Sequence, residues 1–137
     1  MTSVWWVRRD IRLADNGALA SAAAHGPVVP LFVWEDNLLA GAGDVRRAFL
    51  FEALNSLDNS VGRALIYRNG PAVHAVPEFC RLVGADTVHV TEDFAPWGRA
   101  RDAEVEKALA AAGVRLIRGD TPYVIRPAPF ARMTALR

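Results

Sequence analysis

The chain opens on the segment Val4-Trp5-Trp6-Val7-Arg8-Arg9-Asp10-Ile11-Arg12. Its first four residues are apolar and favour a buried strand, whereas the charged residues that follow favour a loop. Asn16 is then a good N-cap for an alanine-rich helix over 17–24, which His25-Gly26-Pro27 ends. A buried strand that leads through a charged loop into a helix is typical of the first unit of a nucleotide-type binding domain.

The rest of the chain repeats this alternation of strand and helix. Apolar runs predict five strands, over 3–8, 28–34, 64–68, 85–91 and 114–118. Helical spacing and end signals predict four helices, over 17–24, 44–61, 72–83 and 99–112. Strands that alternate with helices predict an α/β fold with a doubly wound five-stranded parallel sheet, in a Rossmann-like three-layer sandwich.

Several residues within these elements carry specific predictions. Trp5 and Trp6 alternate along the first strand, so we expect one in the core on each face of the sheet. Pro30 suggests an early or irregular position in the second strand, and Pro77 a kink or boundary in the third helix. The second helix is expected to bury one apolar stripe formed by Val45, Phe49, Leu50, Ala53, Leu54, Leu57 and Val61.

Size and composition limit the classes of protein to which the chain can belong. The 137 residues, 52% of them hydrophobic, suffice for one ordinary domain, which we assign to residues 1–120. The proline-rich remainder, residues 121–137, predicts a linker that leads to an absent domain. A net charge of +1 gives no strong electrostatic footprint for DNA.

The sequence offers little for metal, disulfide or membrane chemistry. Cys80 is the single cysteine, and the three histidines are scattered, so we predict no disulfide and no metal site. We interpret Cys80 and His89 as packed core residues. No apolar segment reaches the roughly 18–20 residues that span a bilayer, so we expect no membrane contact and a cytoplasmic protein.

Candidate ligand contacts follow the strands, because parallel α/β sheets bind ligands beyond the carboxyl ends of their strands. Trp34 and Glu35 follow the second strand, and Asp93 to Gly98 follow the fourth. Rings, carboxylates and arginines at one rim suit a flat polar heterocycle. The alternative is structural: Trp34 caps the sheet, and Glu35 and Asp93 are solvated loop carboxylates. The loop after the first strand would then be fixed by an ion-pair cluster of Arg8, Arg9 and Arg12 with Asp10 and Asp15, an interpretation that we favour over ligand contact for Arg9, Asp10 and Arg12.

Motifs for catalysis are missing from the sequence. No glycine-rich phosphate loop follows a strand, and no serine occupies a nucleophile elbow. We therefore predict no catalytic residues, and we expect the isolated chain to be inactive.

Five segments in this order resemble the DNA photolyase and cryptochrome family. Besides the opening, they are Pro30-Leu31-Phe32-Val33-Trp34-Glu35, Arg46-Arg47-Ala48-Phe49-Leu50, Asn69-Gly70-Pro71 and the stretch Asp93-Phe94-Ala95-Pro96-Trp97-Gly98-Arg99-Ala100-Arg101-Asp102. The resemblance extends from residue 4 to about residue 130. Members of the family join an N-terminal α/β domain to a larger helical domain that binds FAD and damaged DNA.

The resemblance implies that this chain is the α/β domain alone, which in many members holds a light-harvesting antenna chromophore. The antenna contacts that it implies here are Phe32, Trp34, Glu35, Arg46, Asp93 and Gly98. Glycine rather than an acidic residue at position 98 favours a deazaflavin-type antenna over folate, and glycine lets the backbone approach a planar ring. Trp97 and Glu35 are larger than the tyrosine and aspartate usual in the family.

The resemblance also implies which partners the chain would have, because the C-terminal helical domain of the family is absent from this sequence. FAD would be bound only by the absent C-terminal helical domain, DNA would be contacted only through that domain, and the exposed domain interface could mediate self-association. The implied function is light harvesting for pyrimidine-dimer repair in a full-length parent. The alternative is a free-standing nucleotide-type module for small-molecule binding or interaction, without photochemistry.

Overall fold

The computed structural model describes residues 2–13, 16–35 and 43–119. Five strands run in chain order as β1 (Thr2–Val7), β2 (Val28–Trp34), β3 (Ile66–Asn69), β4 (Ala85–Thr91) and β5 (Arg115–Gly119). Four helices separate them: α1 (Gly17–His25), α2 (Asp44–Ser60), α3 (Ala72–Val83) and α4 (Pro96–Ala111). The predicted alternation is confirmed, and the predicted linker over 121–137 lies outside the described residues.

The strands form one parallel sheet in the order β3-β2-β1-β4-β5. The chain winds outwards from β1 in one direction through β2 and β3, and in the other through β4 and β5. This is the doubly wound α/β fold that the sequence predicts. It brings the loops after β1 and β4 to the point where the strand order reverses.

Each face of the sheet carries one pair of helices and one apolar core. Trp5 lies in the core covered by α1 and α2, which we call the α1/α2 face, and Trp6 lies in the core covered by α3 and α4, the α3/α4 face. Both indoles are fully buried, as predicted. Because side chains alternate along a strand, successive residues of β1 and of β2 lie on opposite faces of the sheet.

Two elements begin more than one residue away from the predicted position. α4 begins at Pro96 rather than at residue 99, because proline fits the first position of a helix, where no intrahelical bond to its nitrogen is needed. β3 begins at Ile66 rather than at residue 64, where its pairing with β2 starts. The prediction of a boundary at Pro77 is wrong, since α3 continues through this buried residue.

The prediction that α2 buries a single apolar stripe is wrong for its first half. Leu54 and Leu57 are buried, but the side chains of Val45 and Phe49 are 84% and 74% exposed. The helix returns antiparallel to β2, and the buried part of its stripe begins about two turns after its first residue. Among the described residues, Val45 and Phe49 therefore lack apolar packing, whereas Leu50 is partly buried against the core.

Other residue-level predictions are confirmed. Asn16 caps α1 by accepting a hydrogen bond from the backbone nitrogen of Leu19. Pro30 pairs with β1, and pairing with β3 starts only at the next residue, so Pro30 occupies the early position expected. Cys80 and His89 are both buried.

Candidate functional site

The point where the strand order reverses lies between the ends of β1 and β4, and a buried aspartate fills it. The Asp10 carboxylate accepts hydrogen bonds from Trp5 Nε1 at 3.2 Å, from Asn16 Nδ2 at 3.0 Å and from the Thr91 hydroxyl at 2.8 Å. It also accepts one from the backbone nitrogen of Arg8 at 3.0 Å. Asp10 thereby ties the end of β1 to the start of α1 and to the end of β4.

This network adds neutral hydrogen-bond donors to the predicted ion-pair cluster, whose Asp15 lies outside the described residues. The groups that donate to Asp10 are a ring nitrogen, an amide, a hydroxyl and a backbone nitrogen, all of them neutral. Arg9 and Arg12 are exposed. Around Asp10 the loop is fixed by hydrogen bonds from neutral donors, because a buried carboxylate must satisfy several lone pairs at once.

Two arginines occupy the crevice between β1 and β4 on the α3/α4 face. Arg8 donates to the carboxylate of buried Asp102 and to the backbone oxygen of Thr91. Arg101 donates from Nε to the same Asp102 carboxylate at 3.2 Å. Both guanidinium groups lie over the ring of Trp6, at 4.9 and 5.4 Å from its centroid. The crevice where an α/β sheet usually admits a ligand is therefore occupied by the protein's own side chains.

Aromatic rings gather on the other side of the rim, at the carboxyl ends of β2 and β3. The ring of Trp34 lies 4.9 Å from that of Phe32, 5.3 Å from that of Phe51 and 6.4 Å from that of Tyr67. The side chain of Phe51 is 52% exposed and Trp34 is half-buried. This aromatic group on the α1/α2 face, Phe32, Trp34, Phe51 and Tyr67, offers ring faces to a flat ligand.

Glu35 belongs to the opposite face. It follows Trp34 in sequence, and its side chain lines a cavity of about 310 Å³ between the first turn of α3 and α4. Burial raises the pKa of Glu35 above its usual range, while Arg101 and Arg8 act in the other direction. Gly70 leaves room for this side chain, since a Cβ there would lie 3.1 Å from Glu35 Cγ.

Asp93 and Gly98 form a pair at the start of α4. Asp93 Oδ1 accepts from the backbone nitrogen of Ala95 at 3.0 Å, and Oδ2 accepts from Arg101 at 3.3 Å. The carboxylate occupies the space beside Gly98, where an added Cβ would overlap it and lie 2.8 Å from Oδ1. In the structure, the missing side chain at position 98 makes room for Asp93.

The six predicted contacts therefore fall into separate groups around one rim. Phe32 and Trp34 share the aromatic group, while Glu35 lines the cavity on the other face. Asp93 and Gly98 touch each other at the start of α4. Arg46 is exposed in the first turn of α2, and no described residue forms an ion pair with it.

Three aromatic or charged residues of the cavity, Trp97, Arg101 and Glu104, are absent from the predicted set. Trp97 and Arg101 both line the cavity, and the guanidinium of Arg101 lies 4.8 Å from the centre of the Trp97 ring. Their separation of four residues in a helix places both on one side of α4, and Glu104 follows at the next turn. This spacing is visible in the sequence, although its meaning depends on α4 beginning at Pro96.

Neither a metal centre nor a membrane-spanning helix is found in the described part of the chain. The described residues contain no group of three or more histidine, cysteine or acidic side chains that could hold a metal ion. Within the same ranges, every helix is too short or too polar to cross a membrane.

Comparison with known proteins gives consistent matches over most of the chain. The family model described as DNA photolyase matches residues 3–133. A deoxyribodipyrimidine photo-lyase of Thermus thermophilus is 37% identical over 93% of this chain and 32% of its own length. Cryptochrome-1 of Arabidopsis thaliana is 35% identical over 82% of this chain and 17% of its own length.

Solved structures agree with these matches. A class III photolyase from Agrobacterium tumefaciens superimposes with a TM-score of 0.79 at 29% identity, over 87% of this chain and 25% of that one. A photolyase from Sulfolobus tokodaii, described with two FAD molecules and the implication of a novel light-harvesting cofactor, gives a TM-score of 0.77 at 25% identity. That match covers 88% of this chain and 29% of the other. The chain spans 25 to 32% of the length of the first curated photolyases it matches.

Proposed function

The chain belongs to the DNA photolyase family, and from that premise we propose that it is a light-harvesting domain that holds a planar antenna chromophore at the carboxyl edge of its sheet. The bound chromophore would absorb light and pass the excitation to FAD in a C-terminal helical domain of a longer protein. DNA would be contacted through that domain, and the protein would act in the cytoplasm. The chain's own residues would bind and orient the chromophore.

The observation that carries this proposal is the aromatic group beside Trp34. Phe51 and Trp34 present partly exposed ring faces next to the carboxyl end of β2, where a flat ring can stack. Arg46, in the first turn of the neighbouring α2, is exposed and can pair with an anionic tail. Phe32 supports the stack from below, because its ring meets that of Trp34 edge to face.

The remaining predicted contacts fit a ring with polar edges. Glu35, the proposed acceptor for ring N–H groups, lies at the end of β2 across the rim from the aromatic group, so the ring would have to extend over the rim to reach it. Asp93 holds Arg101 and the start of α4 in place, and Gly98 leaves the space that Asp93 needs. An acidic side chain at position 98 would displace Asp93, which supports the preference for a deazaflavin-type ring over folate. The Sulfolobus tokodaii photolyase, with its two FAD molecules, supports an isoalloxazine-like ring as the ligand class.

The proposal predicts selective binding of one ring. We expect the purified chain to quench the fluorescence of 8-hydroxy-5-deazaflavin in a saturable manner and to bind methenyltetrahydrofolate more weakly. Arg46→Ala should weaken binding of a deazaflavin that carries its anionic tail about tenfold, because one charge-assisted contact is lost. Arg81→Ala, an exposed arginine on α3, is the matched control. Equal affinity in Arg46→Ala and Arg81→Ala would contradict the site.

The proposal also predicts that the chain alone repairs no DNA. A DNA duplex that contains cyclobutane pyrimidine dimers would be illuminated with the chain and reduced FAD, and intact pyrimidines would be counted by chromatography. We expect no repair, whereas a full-length photolyase under the same light restores them. Dimer reversal by the isolated chain above the light-only background would refute the assignment of a purely light-gathering role.

A further inference from the structure

The cavity between α3 and α4 has a composition of its own. It lies on the α3/α4 face, across the sheet from the aromatic group, and holds about 310 Å³. That volume is at the small end of the range for ligand sites, roughly 300–1,000 Å³, and fits a single ring or a side-chain head group. The polar and aromatic side chains that line it are Glu35, Trp97, Arg101 and Glu104.

The one arginine of this lining is already neutralised. Arg101 donates to Asp93 at 3.3 Å and to Asp102 at 3.2 Å. Its guanidinium lies between the rings of Trp6 and Trp97, at 5.4 and 4.8 Å from their centroids. Arg101 is therefore held by two carboxylates of the protein, and its charge reaches Glu35 without a direct ion pair between them.

The two glutamates are not committed in this way. Neither Glu35 nor Glu104 takes part in a salt bridge or side-chain hydrogen bond with any residue in the described ranges. Glu35 is half-buried, so its carboxylate has lost part of its water without gaining a donor. A half-buried carboxylate without a donor is costly, and a bound cation would offset that cost.

Trp97 adds a surface suited to a flat cation. Its side chain is 52% exposed at the cavity, although one contact of the ring is with the Arg101 guanidinium. Indole is the most favourable ring for cation–π contact, and a planar guanidinium can stack on it while it donates to carboxylates at its edge. An alkylammonium ion is more strongly hydrated and cannot stack.

We propose that this cavity binds a guanidinium or amidinium group, whose planar face stacks on Trp97 while its N–H groups donate to Glu35 and Glu104. The ligand class includes small aryl amidines and the arginine side chain of a partner polypeptide. The cavity shares Glu35 with the proposed antenna contacts, whereas Trp97 and Glu104 belong to the cavity alone.

The experiment uses benzamidine as the cationic probe and benzamide as its neutral counterpart of the same shape. Binding is followed by the chemical shift of the Trp97 indole N–H, assigned with Trp97→Phe, as each probe is added. We expect benzamidine to saturate with a Kd on the order of 1 mM, as is reasonable for a ligand of this size, and benzamide to cause no saturable shift.

Charge-removing variants test the assigned residues. Glu35→Gln and Glu104→Gln should each raise the Kd for benzamidine at least about fivefold, since each removes one carboxylate acceptor. Glu78→Gln, an exposed position on α3 outside the cavity, should leave the Kd unchanged. Far-ultraviolet circular dichroism confirms that each variant is folded.

Three outcomes would overturn the proposal: no saturation at benzamidine concentrations about tenfold above the expected Kd, equal binding of benzamide, or an unchanged Kd in both cavity variants. Deazaflavin titration is a separate readout on the other face. Deazaflavin affinity is tested through Arg46→Ala and benzamidine affinity through Glu104→Gln, so failure of the light-harvesting proposal and failure of this one are distinguishable although both name Glu35.

Discussion

The Asp93 carboxylate occupies the space in which a side chain at position 98 would lie. This gives the glycine a structural reason that the sequence alone does not show. The sequence associates Gly98 with close approach of a chromophore ring. In the structure the close neighbour is the Asp93 carboxylate, which is held by Ala95 and Arg101. Any side chain at position 98 must first expel this carboxylate, so the two residues are expected to be coupled energetically.

This coupling predicts that Gly98→Ala changes the free energy of unfolding in opposite directions with and without the Asp93 carboxylate. In a helix, Gly→Ala normally stabilises by about 1 kcal/mol. Here Gly98→Ala should instead lower the free energy of unfolding by about 1–2 kcal/mol, because Asp93 must abandon its hydrogen bonds. In an Asp93→Ala background the same substitution should become stabilising. Urea denaturation of the four proteins measures this, and a Gly98→Ala effect of the same sign in both backgrounds would disprove the coupling.

The elements show which parts of the fold the sequence determines. The bounds of β2, α3 and β4 are predicted correctly. Pro27, Pro71 and Gly84 mark their starts and the end of α3, and both apolar strands end where a glutamate follows. The start of α4 is missed, since the exposed apolar segment from Phe94 to Trp97 resembles a loop. For α2, helical spacing predicts which side of the helix is apolar, but it does not predict how much of that side is buried.

The uneven burial of the apolar side of α2 predicts that truncating its residues lowers the free energy of unfolding by unequal amounts. Leu54 is 2% exposed, so Leu54→Ala should lower the free energy of unfolding by about 2–5 kcal/mol. Phe49→Ala removes a larger side chain but should cost less than about 0.5 kcal/mol, because that ring lies mostly in solvent. Both are measured by urea denaturation. If Phe49→Ala costs as much as Leu54→Ala, the first half of α2 is buried in solution.

At the scale of the whole molecule, the sheet separates what the sequence places side by side. Trp34 and Glu35 are neighbours in the chain, yet they serve opposite faces because their side chains alternate across β2. That separation could be read from the sequence once the strand was assigned. The filling of the crevice by Asp10 and Arg8 could not, because it depends on contacts with Thr91 and Asp102 more than 80 residues away.

The side of β4 that faces α1 carries a buried polar cluster that should control acid stability. His89 lies in β4 with Nδ1 2.9 Å from the Ser21 hydroxyl and Nε2 3.1 Å from the Thr87 hydroxyl. Its ring centroid is 6.0 Å from that of His25. Burial, and then the charges of His25 and Arg115, lower the pKa of His89 to about 4.

A histidine whose pKa is lower in the folded state binds its proton more tightly when the chain unfolds. The unfolded state therefore carries more protons between the ordinary pKa near 6.5 and the folded value near 4, so stability falls as the pH falls through this window. Between pH 7.5 and pH 5 the loss due to His89 should be about 2 kcal/mol. Urea denaturation across this range should show that loss in the wild-type protein and in His74→Gln, whose histidine is exposed, but not in His89→Gln. Parallel pH profiles for the wild type and His89→Gln would mean that another group governs the acid sensitivity.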